Sequence, residues 1–360
     1  QTNAIVDASG GNTATVNGIS PLANSARFAR NLIINGAMQV AQRGTSATTF
    51  AYGTVDRFKP TEGSTSSLAI TQTQDTNAPA GFSNSLKITV NTAETMSGSK
   101  QLAVFHAMEA QNLQQLGYGT SNAKSVTVSF WVKSSVTGAY CLSLYENDDN
   151  RNIGATYTIN SANTWEYKTI TFPPDTVGVI DNNNGGGLET YFFLSVGPDR
   201  KSADNTSWAT WSAARFGYGQ VADVAGTTNA TWQITGIQLE VGSVATDFEH
   251  KTYSEELAAC QRYYYRINSN GTSDERNIGF SRNTTTCWVP YHFPVKMRTA
   301  PVVESTGTAS DYAINVGSGT ETCTNFPVNN SSGPESIMVS FQSTGNLTAG
   351  QANAVRFLSA

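Results

Sequence analysis

Apolar and polar residues alternate along most of this chain with a period of two, and that period predicts strands. "SLKITV" places Leu86, Ile88 and Val90 on one face. "SVTVSFWVK" separates Val126, Val128, Phe130 and Val132 from Thr127, Ser129, Trp131 and Lys133. "AYCLSLY" separates Tyr140, Leu142 and Leu144 from Cys141, Ser143 and Tyr145. Two segments change parity midway. "WEYKTITF" begins with Trp165 and Tyr167 and finishes with Ile170 and Phe172, which predicts a bulge near Lys168–Thr169. "TWQITGIQLEV" aligns Trp232 with Ile234, then Ile237, Leu239 and Val241, which predicts a bulge at Gly236. "ETYFFLSV" reads as a further strand, and "NLIINGAMQV" as an apolar run closed by the tight-turn pair Asn35-Gly36. Residues 102–117 fit either one helix or two strand fragments. Many short strands between Gly/Asn/Asp loops predict an all-β antiparallel sandwich or barrel.

Residues 238–266, "QLEVGSVATDFEHKTYSEELAACQRYYYR", break this pattern. A strand ends at Val241 and a connection follows. Thr252 with Glu255 then fits a capping box, with Ser254 as a rival cap. Tyr253, Leu257, Cys260 and Tyr264 form one helical stripe. A helix of about three turns is marginal alone in water. Its stripe is expected to pack on another domain of the chain or on copies of itself. Tyr263, Tyr264 and Tyr265 would point about 100° apart on that helix and form no single platform. Alternation returns in "CWVPYHFPVKM", where Pro290 and Pro294 suit an edge strand or a strand start. "DYAINV", "SIMVSF" and "NAVRFLSA" continue it. The expected organisation is a polar arm (1–30), a β-sandwich (31–250), a linking helix (251–266) and a small C-terminal β-domain (267–360).

Composition narrows the function classes. The 360 residues are 14% charged and 10% aromatic, with a formal net charge of −5. That balance argues against a nucleic-acid groove, which needs a basic stripe. No apolar run approaches the ~18 residues of a membrane span. The first residues lack the basic and apolar parts of a signal peptide. Cys141, Cys260, Cys287 and Cys323 show no metal-ligand spacing and are expected to be reduced, buried thiols.

Candidate chemistry is sparse. His106, His250 and His292 sit in no catalytic motif. His250, beside Asp247 and Glu249, reads as part of a charge pair pinning a loop. Glu146, Asp148, Asp149 and Asp199 could serve glycoside hydrolysis, but "ENDDN" equally suits a solvated hairpin turn. No enzymatic role is expected. Sugar binding calls for aromatic faces with planar polar side chains beside them. Trp131 and Tyr145 point away from the core parity. Trp208 and Trp211 lie in "NTSWATW", and Asn147, Asp149, Asn150 and Arg151 follow Tyr145. If the strands at 125–133 and 139–145 pair, Trp131 and Tyr145 share one outward face. The alternative is that a loop or another subunit covers Trp131.

Two blocks carry a family resemblance. "NLIINGAMQVAQRGTS" followed by "VDRF" is similar to the opening of many bacteriophage tail-fibre and virion surface proteins. "TWQITGIQLEVGSVATDFEHKTYSEELAACQRYYYR" resembles the segment that follows there, and "VPYHFPVKMRTAPVV" and "LTAGQANAVRF" resemble their ends. The middle resembles jelly-roll carbohydrate-binding modules, through "SFWVKS", "TWEYKTITF" and "WQITGIQLEVG". The resemblance implies a jelly-roll sandwich in a non-enzymatic virion protein, a tail fibre or capsid surface fibre, assembled in the host cytoplasm. It implies a homotrimer, attachment to other virion proteins through the arm, and contact with a host-surface glycan. A decoration role without ligand and a tail-associated polysaccharide depolymerase are the alternatives. Those modules often hold a structural calcium through an acidic residue just after the NG turn. Here Ala37, Met38 and Gln39 stand there, so the motif does not support Ca²⁺, although Glu240 and backbone carbonyls could contribute. No cofactor is expected.

Overall fold

A computed structural model of the chain describes residues 30–267, 274–317 and 319–358. The expected arm lies outside the described residues apart from Arg30. The chain divides into two compact units, Gln1–Glu256 and Leu257–Ala360. Among the described residues, no helix is long and apolar enough to cross a membrane.

The first unit contains twelve strands: β1 (Ser46–Ala47), β2 (Lys59–Gly63), β3 (Ala69–Asp75), β4 (Ser85–Thr92), β5 (Gln101–Glu109), β6 (Val126–Ser134), β7 (Gly138–Glu146), β8 (Arg151–Ile159), β9 (Glu166–Phe172), β10 (Gly186–Val196), β11 (Ala209–Thr210) and β12 (Thr231–Val241). They form two six-stranded sheets. Sheet one runs β1-β3-β4-β12-β6-β9, and sheet two runs β11-β8-β7-β10-β5-β2. Take the long strands β4 to β10 and β12 in chain order as first to eighth. Sheet one then reads 1-8-3-6, and sheet two reads 5-4-7-2. Every step but the β7–β8 hairpin crosses between the sheets, which is the jelly roll.

The alternation explains the core. Leu86, Ile88 and Val90 on β4, Val126 to Val132 at alternate positions on β6, and Tyr140, Leu142 and Leu144 on β7 are fully buried in one cluster. Burying each large apolar side chain stabilises the fold by about 1.5–3 kcal/mol. Residues 102–117, ambiguous in sequence, open with strand β5 and continue as two short 3-10 turns.

The bulge at Gly236 is present. The β12–β6 register slips between Thr235 and Gln238, and Gly236 has φ 62°. A Cβ at Gly236 would stand 2.6 Å from the Phe82 ring. The slip moves the inward set from Trp232 and Ile234 to Ile237 and Leu239. It also leaves β12 backbone groups without ladder partners, and residues 31–36 supply them. The Asn31 side chain donates to Ile237 O and accepts from Leu239 N, while Ile237 N donates to Gly36 O. Gly36 is needed for that approach, since its Cβ would fall 2.1 Å from Ile237 O.

Asn35 holds the following turn in the left-handed region, at φ 63°. Its amide donates to Val40 O and Asp56 O and accepts from Val40 N, while its own N–H donates to Glu256. Carboxylates near this turn bind backbone donors. Glu249 accepts from Asn31 N, and Glu240 accepts from Thr246 N and Thr246 Oγ1. Among the described residues, no group of three or more His, Cys, Asp or Glu side chains is arranged to hold a metal.

Several expectations need correction. The predicted bulge at Lys168–Thr169 is absent, because β9 pairs with β6 in unbroken register from Val126↔Phe172 to Val132↔Glu166. Tyr167 is simply an outward residue, 46% exposed. The helix α1 spans Tyr253–Gln261 and ends before the three tyrosines. Its capping box forms: Thr252 N donates to Glu255 Oε2, and Glu255 N to Thr252 Oγ1. Its predicted stripe holds at buried Cys260 but fails at its first position. Tyr253 is 55% exposed, while Glu256 is buried because it accepts Asn35 N–H. His250 is exposed and lies against the rings of Phe82 and Phe248, so ring contacts stand where a charge pair was expected.

The second unit is a seven-stranded sheet. Its strands are β13 (Asp274–Ser281), β14 (Thr286–His292), β15 (Tyr312–Val316), β16 (Gly319–Thr322), β17 (Asn325–Ser332), β18 (Ser336–Gln342) and β19 (Ala352–Phe357), in the order β16-β15-β19-β13-β14-β18-β17. Val289, Tyr312, Ile314, Phe341 and Val355 belong to its core. The edge-strand expectation for Pro290 fails, since β14 is interior. Proline is tolerated there because the β13–β14 ladder covers only Phe280↔Trp288 and Ser281↔Cys287. All four cysteines are buried, and burial pushes the Cys141 thiol up to about 12.

Candidate functional site

The outer face of sheet two carries the best-formed candidate site. Register places its outward residues in rows across the strands. One row runs Asn152–Tyr145–Glu189–Ala107 over β8, β7, β10 and β5. The next runs Gly154–Ser143–Tyr191–Phe105–Lys59, reaching β2. Adjacent strands are spaced by ~4.8 Å, so β7 to β2 spans about 14 Å.

Segment 197–220 closes the lower part of this face. Phe216 packs over Cys141, Phe193 and Ala103. Phe216 O accepts the Ser143 hydroxyl, and Gln220 Oε1 accepts Cys141 N. What remains open is a strip of half-buried aromatic rings: Trp211, Tyr145, Tyr191, Phe105 and Tyr52. Tyr191 and Phe105 have centroids 5.2 Å apart, and Tyr145 and Trp211 6.4 Å apart. Phe216 backs the strip from below, 4.7 Å from Tyr191.

Polar groups are fixed along it. Glu189 accepts from Asn147 Nδ2 at 2.6 Å and from the Tyr191 hydroxyl at 2.8 Å. Burial raises the Glu189 carboxyl above the usual range, against those two hydrogen bonds and Lys59. Burial first, and then the Glu189 charge, push the Tyr191 phenol far up, so it stays a donor. The Tyr145 hydroxyl donates to Asn150 Oδ1, and Asn150 O accepts Trp211 N–H, which ties the β7–β8 turn to the tryptophan loop. Lys59 Nζ lies 5.4 Å from the Tyr52 centroid and 5.1 Å from that of Phe105. Together these side chains offer ring faces for a pyranose and fixed donors and acceptors for its hydroxyls.

Of the residues singled out in the sequence, Tyr145, Asn147, Asn150 and Trp211 meet here. The others do not. Arg151 forms a two-pronged ion pair with Asp175, at 2.5 and 3.2 Å. Asp149 accepts Val179 N–H, and Asp148 accepts Asp181 N–H, so both carboxylates pin the following loop. Trp208 donates to Pro173 O and packs edge-on against Tyr118 at the main core. Trp131 lies on the outer face of sheet one, 5.3 Å from Tyr167.

The shared face expected for Trp131 and Tyr145 is therefore wrong. Strands β6 and β7 belong to opposite sheets, and Ser135–Thr137 arches between them. Tyr140 reaches across from β7, its hydroxyl donating to Val136 O and lying 2.9 Å from Ser134 Oγ, which braces that arch. Parity identified the inward residues of both strands correctly, and those residues face one another across the sandwich.

Sequence reading missed Tyr52, Lys59, Phe105, Glu189 and Tyr191. A signal existed in "LETYFFLSV". Leu188, Thr190, Phe192 and Leu194 are inward, which puts Glu189 and Tyr191 together on the other face.

No protein-family model matches the chain, and no curated protein matches it. Similar solved structures include the enzymatically active domain of tailspike protein 4 of bacteriophage CBA120, at 11% identity and TM-score 0.33, covering 59% of this chain and 21% of that one. This chain thus spans about a fifth of that protein's length. Others are the family 11 carbohydrate-binding module of the Clostridium thermocellum cellulase Lic26A-Cel5E, at 11% identity and TM-score 0.29, covering 56% and 97%, and the C-terminal family 22 module of C. thermocellum Xyn10B, at 13% and 0.29, covering 57% and 98%.

Proposed function

We propose that this chain is a non-enzymatic virion surface protein that binds a glycan on the outer face of sheet two. The carrying observation is the half-buried strip Trp211–Tyr145–Tyr191–Phe105–Tyr52, with Glu189 and Asn147 fixed beside it. The virion context is supported by the sequence blocks 31–58 and 232–266, which resemble phage tail-fibre and surface proteins. In that reading the arm 1–30 attaches the chain to other virion proteins, after assembly in the host cytoplasm.

Replacing Tyr191 with Ala is expected to weaken glycan binding at least about tenfold, or ~1.4 kcal/mol. Trp131→Ala serves as the control, because it lies on the opposite sheet. A glycan array followed by calorimetry on the best ligand checks this. Equal losses in both variants, or a loss confined to Trp131→Ala, would sink the assignment of the face.

The non-enzymatic reading is supported by how the carboxylates are engaged. Glycoside hydrolysis takes two flanking carboxyl groups. Asp148 and Asp149 hold backbone N–H groups, and Glu146 is buried in the sandwich. Release of reducing ends from the bound polysaccharide would instead indicate the depolymerase reading.

A homotrimer is part of the same proposal. The outward face of the second unit's sheet exposes Ile278 (66%), Phe280 (42%) and Val328 (44%), apolar side chains that copies of the chain would cover. Light scattering at micromolar concentration is expected to give three times the chain mass, and a monomer mass would refute it.

A further inference from the structure

Resting on the glycan-binding reading above, we propose that the strip takes an anionic glycan, with the acidic substituent placed at the β2 end against Lys59. The two ends of the strip differ in charge. Near the β7–β8 end the turn carries Asp148 and Asp149, both holding backbone N–H groups, and Glu189 stands towards the middle. At the β2 end, the Lys59 ammonium sits between the rings of Tyr52 and Phe105. The Arg43 guanidinium lies 5.8 Å from the centre of the same Tyr52 ring. In a chain of net charge −5, this end runs against the overall balance.

The carboxylates around Lys59 hold other donors, and Glu189 feels the ammonium only through space. Glu62, on the same strand but the alternate parity, accepts from Thr65 N and Thr65 Oγ1. Glu189 accepts from Asn147 and Tyr191. Among the described residues, Lys59 therefore has two ring faces and no ion-paired carboxylate. Lys59 is only half-buried, which leaves room for water around its ammonium. A sugar stacked on Phe105 and Tyr52 would displace that water, and an ammonium stripped of water is costly without a counter-charge. A hydroxyl supplies only a neutral hydrogen bond. A carboxylate or phosphate substituent supplies a charge-assisted one, roughly twice as strong. The same substituent placed over Glu189 would meet a like charge in a poorly hydrated spot. The strip thus reads a glycan in one direction, neutral rings over Tyr145 and Tyr191 and the acidic group at Lys59.

The test uses the full chain on an array of neutral, uronate-bearing and phosphate-bearing glycans. Calorimetry follows with the best ligand and its neutralised derivative, carboxyl-reduced or dephosphorylated. The acidic form is expected to bind at least about tenfold tighter than its neutral derivative, with the advantage shrinking as salt rises. Which class leads the array decides between carboxylate and phosphate as the source. Lys59→Gln should collapse the acidic-to-neutral affinity ratio towards one, and Lys59→Arg should keep it. Melting curves establish that both variants fold. Neutral ligands matching acidic ones, or an unchanged ratio in Lys59→Gln, would overturn the proposal while leaving the glycan reading in place. No binding to any glycan would defeat the glycan reading itself, and this proposal with it.

Discussion

Asn35→Ala is expected to destabilise the first unit by about 3–5 kcal/mol, the larger part from hydrogen bonds and the rest from backbone strain. The side chain is fully buried and ties Val40 N, Val40 O and Asp56 O into one knot. Truncation strands three buried backbone groups, each costing about 1–3 kcal/mol if left unpaired. Alanine must also hold φ 63°, a left-handed value that Asn tolerates better. Asn35→Gly separates the two contributions, since glycine removes the strain and keeps the loss of hydrogen bonds. We expect the glycine variant to recover about 1 kcal/mol. Urea unfolding of both variants measures this. A loss under about 1 kcal/mol for Asn35→Ala would mean that the knot contributes little.

Glu146→Gln is expected to stabilise the protein, increasingly as pH rises above about 4.5. Glu146 is fully buried at the end of β7, and neither carboxyl oxygen has a hydrogen-bond partner among the described residues. Gly178 closes over it so tightly that a Cβ there would stand 2.0 Å from Glu146 Oε2. Burial first, then the charges of Asp175 and Asp149, push its carboxyl up to about 8, with Arg151 opposing. The folded protein therefore retains a proton that the unfolded chain releases near pH 4.5. Stability from this group is fully present below that value and is lost as pH rises towards about 8, with a limiting slope of ~1.4 kcal/mol per pH unit. Glutamine has the same shape and no charge, so it removes the slope. Parent and variant should differ little at pH 4, while the variant gains on the order of 2–4 kcal/mol by pH 8. Parallel stability profiles across that range would show that Glu146 is ionised or hydrated in the folded state.

Local signals in the sequence carry over into the structure where the cause is local. The period of two sorts Val126, Val128, Phe130 and Val132 inward because successive strand residues point to opposite faces. Gly236 shows its bulge because the apolar parity slips there and only a residue lacking Cβ fits under Phe82. Thr252 and Glu255 find each other because a capping box spans three residues. The resemblance to jelly-roll modules likewise rests on strand patterns readable from the chain, and the strand order agrees with it.

What the sequence leaves open is everything set by which strands become neighbours. Parity places Tyr145 outward but does not name its sheet, and an arch at Ser135–Thr137 reads much like a hairpin. The candidate site is assembled from β7, β10, β5 and β2, whose residues Tyr145, Tyr191, Phe105 and Lys59 are far apart in the chain. Asp149 and Arg151 lie close to Tyr145 in sequence, and Trp208 close to Trp211, yet Val179, Asp175 and Pro173 claim them. Glu256 looks like a solvated helix residue until Asn35, over two hundred positions earlier, presents its N–H. Alternation and capping are short-range geometry that the sequence by itself determines. Pairing, and with it the site, depends on long-range contacts whose partners only the folded chain brings together.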